Sequence, residues 1–170
     1  GGFTAGISAA GALLEYLKTA LKENPDFRKI TPFRHTTNMF IDAATQRNLE
    51  LTHNVRDGSR EGTLLSALDE TLTPMGGRFL RTSLLRPLTD IARIQARLGA
   101  IEYLIEDFEL LETIRTCLRK VQDLERLAAR VTTGKAHARD LVAIKTSLAE
   151  LPKIRKALHT SREPYLKSLA

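Results

Sequence analysis

Apolar residues recur along this chain in steps of three and four, the spacing of helices with one buried face. Leu13, Leu14, Leu17 and Leu21 follow it, and Asn24, Pro25 and Asp26 end that segment. From Asp90 the pattern strengthens. Ile91, Ile94, Leu98, Ile101, Ile105 and Phe108 form one continuous stripe over about five turns. Asp107 then caps a helix carrying Leu110, Leu111, Ile114, Leu118 and Val121. Asp123 opens another, with Leu124, Leu127, Ala128 and Val131 inward and Gly134 at its end. Ala138, Leu141, Ile144, Leu148 and Leu151 make a further inward stripe, and Pro152 is read as the start of a last short helix.

The first third is less regular. Thr31, Phe33, Thr37, Met39 and Ile41 favour a minor extended segment near residues 31–41. Asp42 can cap a helix through about Leu51, Val55 to Gly62 is a loop with a tight turn at Asp57 and Gly58, and Thr63 can cap a helix from Leu64 to about Leu72. Successive amphipathic helices with short breaks predict an all-α fold, an irregular multi-helix array or bundle. No repeat of fixed period is present.

The block from Thr71 to Leu88 has the sharpest local grammar. Thr73 is a good N-cap, and Pro74 follows at the first helical position, where a missing N–H costs nothing. Gly76 and Gly77 then sit in the opening turns, each costing roughly 1 kcal/mol relative to alanine. Pro87 stops the helix by about Arg86. The glycines indicate close backbone approach or an unusual dihedral there. One reading is static helix packing, and the other is contact with a surface that moves. Arg78 lies on the same helix.

With 42% hydrophobic and 27% charged residues, the 170-residue chain has the composition of a globular domain rather than a disordered one. Its length could bury close to 70% of the unfolded surface. Aromatics make up only 5%, with no Trp, so the core must be built from Leu, Ile and Ala. No apolar run is long enough for a membrane span. The missing initiator Met suggests two ends cut from a longer protein. A net charge of +6 raises the question of nucleic acid, but residues 61–152 carry thirteen basic and thirteen acidic side chains. The excess collects in the last eighteen residues, where Lys153, Arg155 and Lys156 are candidates for weak phosphate contacts.

Candidate chemistry is sparse. His35, His53, His137 and His159 are isolated, without the clustered ligands a metal needs. Cys117 is the sole cysteine, which excludes an internal disulfide, points to a reducing compartment and fits packing better than nucleophilic catalysis. Gly134 and Lys135 lack the earlier glycine and following hydroxyl of a phosphate loop, because Ala129 and Ala136 stand there. Three arginine pairs share helix faces: Arg78 with Arg81, Arg93 with Arg97, and Arg126 with Arg130. They can clamp phosphate or form structural ion pairs, with Asp90, Glu102, Glu106 and Glu125 in reach.

Several ordered blocks carry a family resemblance: Asp42, Thr45 and Arg47 to Leu51; Thr63 to Leu65, Leu68, Asp69 and Thr71; Thr73 to Gly76 with Arg78; and Pro87 with Leu88. Asp123 to Leu127 and Gly134 to Leu141 continue the series. Together they resemble the core, or lever, domain of the MutS DNA mismatch-repair family. Ala9 to Leu17 is similar to the last helix of that family's connector domain. The resemblance implies a connector helix over residues 1–24 and the first half of a lever domain over residues 25–170, ending before the DNA clamp. It also implies a mechanical role, coupling an ATPase to mismatch-binding and clamp domains. The family's Phe-x-Glu mismatch reader is not matched, since Phe40 to Asp42 ends in the wrong carboxylate and lies in a different element. This piece would then be no enzyme and hold no cofactor, with Thr73, Pro74, Gly76, Gly77 and Arg78 as a coupling or packing element. The parent would be a cytoplasmic dimer that binds ATP, magnesium, mismatched duplex DNA and repair partners. Two other classes fit the residues: a free-standing helical adaptor for protein partners, and a weak basic DNA-binding module.

Overall fold

The computed structural model describes residues 4–21 and 38–170. The chain divides between residues 34 and 35 into two compact units. The first contributes α1 (Thr4–Leu21). The domain boundary expected after residue 24 and residues 31–37 of the expected extended segment lie outside the described residues. At the edge of that segment, Asn38 forms an antiparallel bridge with Leu88, and the Met39 N–H donates to the Pro87 carbonyl at 2.8 Å.

The second unit is helical, with no strand among the described residues: α2 (Ala43–Asn48), α3 (Leu64–Leu68), α4 (Pro74–Leu85), α5 (Ile91–Glu106), α6 (Phe108–Leu118), α7 (Leu124–Thr132), α8 (Ala138–Thr160) and α9 (Pro164–Ser168). Five N-caps are those expected, and Asp90 joins them as the cap of α5. Asp42, Thr63, Thr73, Asp90, Asp107 and Asp123 each accept a backbone N–H in the first turn with the side chain. Gly134 closes α7 with φ of 67°, a left-handed conformation suited to glycine. The Val55 to Gly62 loop closes around Asn54, whose Oδ1 accepts the N–H groups of Asp57 and Gly58.

Several boundaries differ from expectation: α2 ends at Asn48 rather than near Leu51, and α6 at Leu118, short of Val121. α3 stops at Leu68, because the Asp69 carboxylate turns to accept the N–H and hydroxyl of Thr71. Pro152 lies inside α8 instead of starting a new helix. The turns on either side are fixed by tertiary contacts, with Ser147 and Glu150 buried before it and Leu158 after it. Packing on both sides outweighs the one hydrogen bond that proline removes.

The main core is small. Ala100, Leu158 and Leu166 are buried together, with Tyr103, Leu104, Ile114, Ile154 and Tyr165 packed around them. It lies where α5, α6, α8 and α9 meet. The long stripe expected to face inward points the other way: Ile91 is 70% exposed, Ile105 71% and Phe108 67%, with Leu98 and Ile101 also exposed. α5 therefore packs through Ala100, Tyr103 and Leu104 and leaves a second apolar seam open. α8 is inverted over its first part, up to Leu151, while Ile154 and Leu158 beyond it join the core. It buries Asp140, Ser147 and Glu150 while exposing Leu141, Leu148 and Leu151. The deep burial suggested by chain length is not reached, and these two faces stay exposed among the described residues.

Candidate coupling element around the glycine helix

Thr73 Oγ1 accepts the Gly76 N–H at 3.1 Å, which fixes the first turn of α4. A Cβ at Gly76 would lie 3.0 Å from that same Oγ1 and 3.4 Å from Thr71 Cβ. At Gly77 it would lie 3.3 Å from Thr71 Oγ1. The close approach that needs glycine is thus made by the 69–73 turn folded over its own helix, not by another helix. Asp69 anchors this turn. Its carboxyl is held below the ordinary range first by the Thr71 hydroxyl and then by Arg60.

Arg78 reaches out of this turn. Its Nη1 and Nη2 donate to the two oxygens of Asp123 at 2.8 and 2.7 Å, and its Nε donates to Glu125 at 3.1 Å. Such a fork-to-carboxylate pairing is geometrically selective. Asp123 also caps α7 by accepting the Arg126 N–H at 3.2 Å. Arg78 draws the Asp123 carboxyl down to about 2, and the two carboxylates raise the guanidinium's own affinity for its proton. α4 buries none of its residues. Among the described residues, Arg97 of α5 stacks 5.4 Å from the Phe79 ring centroid on α4, and Arg115 of α6 donates to the Glu70 carbonyl in the preceding turn at 3.5 Å. A cleft of about 530 Å³ between these parts is lined by Arg60, Asp69, Thr71, Gly77, Arg78 and Arg126.

The arginine pairs divide accordingly. Arg78, Arg126 and Arg130 are in structural ion pairs, the last with Asp140 at 2.9 Å. Arg81 and Arg93 are exposed. Lys153 donates to the buried Glu150 at 3.0 Å, whereas Arg155 and Lys156 lie exposed on α8. Burial pushes the Cys117 thiol up, and the adjacent Glu150 carboxylate adds to that, so the group stays protonated and unreactive. Sequence reasoning missed Asp140 and Glu150. His137, taken as isolated, is the N-cap of α8, and its N–H donates to Asp140 at 3.0 Å. The carboxylate at the third helical position was the readable signal. Glu150 offered only its i,i+3 pairing with Lys153, since tertiary packing alone places it over Cys117 and Lys120.

The model of the family described as MutS domain III matches residues 44–170. The chain belongs to the MutS family. It is 46% identical to the DNA mismatch repair protein MutS of Nostoc punctiforme over 168 residues, covering 98% of this chain and 19% of that protein. The MutS of Salinibacter ruber is 47% identical over 150 residues, covering 88% of this chain and 16% of that one. That of Symbiobacterium thermophilum is 47% identical over 163 residues, covering 95% and 19%. The chain therefore spans less than a fifth of the length of these MutS relatives. The glycine helix, the Arg78 clamp and both open apolar faces all lie inside the domain III match.

Proposed function

We propose that this chain is the lever portion of a mismatch-repair ATPase, linking a nucleotide site to DNA-gripping domains encoded elsewhere in the same polypeptide. The observation that carries this reading is the two-faced loading of α5 and α8, each packed on one side and open along an apolar seam on the other. The α5 seam alternates steps of three and four residues, a spacing suited to another helix at a shallow crossing angle. A helix held between two packed layers is stiff, and stiffness lets one site bias another. Residues 1–24 would be the end of a connector and residues 25–170 the first part of the lever. A second group of helices from the parent would close the seams. ATP, magnesium, mismatched duplex, repair partners, dimerisation and a cytoplasmic location belong to that parent.

The exposed seams also suit a free-standing adaptor, so the decisive experiment addresses coupling. Leu98→Glu with Ile105→Glu in the whole polypeptide should leave ATP hydrolysis measurable but abolish its response to mismatched DNA. A second readout uses the 170-residue chain alone. It should turn over no nucleotide and bind duplex weakly, with affinity falling steeply with salt. Unchanged coupling in the double variant, or tight duplex binding by the short chain at moderate salt, sinks the proposal. The arginine-based DNA module is disfavoured because Arg78, Arg126 and Arg130 are already engaged by carboxylates.

A further inference from the structure

We infer that the Arg78 clamp is a reversible latch between α4 and α7, with Arg126 as the cation that takes over Asp123 when the latch opens. Three observations converge on it. First, the grip is polar and partly accessible: Arg78 is 39% exposed and Glu125 67%, so water can replace these two, while Asp123, 14% exposed, needs another cation when Arg78 leaves. Second, α4 has no buried residue, and α3 is its main helical neighbour among the described residues. Releasing Arg78 therefore uncovers no fully buried side chain of α4, although Met75, Leu80, Leu84 and Leu85 are half-buried.

Third, α7 does not depend on the clamp for its own start. The Arg126 N–H donates to Asp123 within the helix's own first turn, a bond that does not run through Arg78. Arg126 Nε already stands 3.4 Å from Asp123 Oδ2, one turn into the helix, with its side chain 77% exposed. The carboxylate that Arg78 leaves is thus never without a cation. Both arrangements are satisfied, which is what a two-state element requires. The stiff glycine turn keeps Arg78 aimed at α7, so α4 and its capping turn swing as one piece. Only the supposition that nucleotide drives the swing rests on the lever reading.

The experiment places nitroxide labels at Arg81→Cys on α4 and Ala129→Cys on α7, in the whole polypeptide freed of other accessible cysteines. Distance distributions are recorded by pulsed electron resonance, with and without ATP and mismatched duplex. Arg78→Ala should raise a second, longer population several-fold. Glu125→Gln, which leaves the α7 cap intact, should raise it less, and adding Arg126→Gln should lower it again. Helical content should be unchanged throughout. A single unmoved distance in every variant, or loss of thermal stability with no second population, overturns the latch. If the variants show two populations but ATP and DNA never alter the wild-type share, the latch stands and the lever reading fails.

Discussion

Thr73 and Gly76 show how one residue's value is set by its neighbour. The Thr73 hydroxyl caps α4, and replacing it with Ala should cost about 1 kcal/mol. Gly76→Ala ordinarily gains about 1 kcal/mol of helix propensity. Here the new methyl would sit 3.0 Å from the capping oxygen, so the gain should largely vanish. In the Thr73→Ala background that oxygen is gone, and Gly76→Ala should stabilise. A double-mutant cycle by denaturant titration checks this, and strict additivity would contradict it. The caps were legible from sequence because each acts within one turn of itself. The partner of Arg78 was not, since it lies 45 residues away.

At the scale of elements, periodicity located the helices but not which face would be covered. Leu158→Ala, in the core, should cost about 2–5 kcal/mol. Leu98→Ala, on the open seam, should stay within about 0.5 kcal/mol in the 170-residue chain. In the whole polypeptide the seam substitution should become costly, and thermal melts of both lengths make the comparison. Pro152 offers a second check. Replacing it with Ala restores an N–H to the middle of α8 and should stabilise by about 1–2 kcal/mol, after allowing for the greater freedom of the unfolded chain. Destabilisation would mean that α8 needs its proline for shape.

For the molecule as a whole, carboxylates at caps and clamps set the response to acid. Asp123 titrates near 3.8 when unfolded and about 2 when folded, and Asp42, Asp57, Asp69, Asp140 and Glu150 are lowered too. A depressed carboxyl contributes its full stability above the unfolded value and loses it as pH falls through the folded one. Melting temperature should therefore drop most steeply between about pH 4 and 2, and Asp123→Asn should flatten that slope. A flat wild-type profile over that window would contradict it.

Helix positions, capping residues and the glycine turn could all be read along the chain, because each is decided within a few residues. The family was legible for the same reason, as ordered blocks of caps and turns. Tertiary structure alone decided that α8 runs through Pro152, that Arg78 grips Asp123, and that α8 buries polar groups while displaying leucines. Those outcomes depend on which surfaces meet, and an apolar stripe reads the same in sequence whether its cover is present or lies beyond these residues.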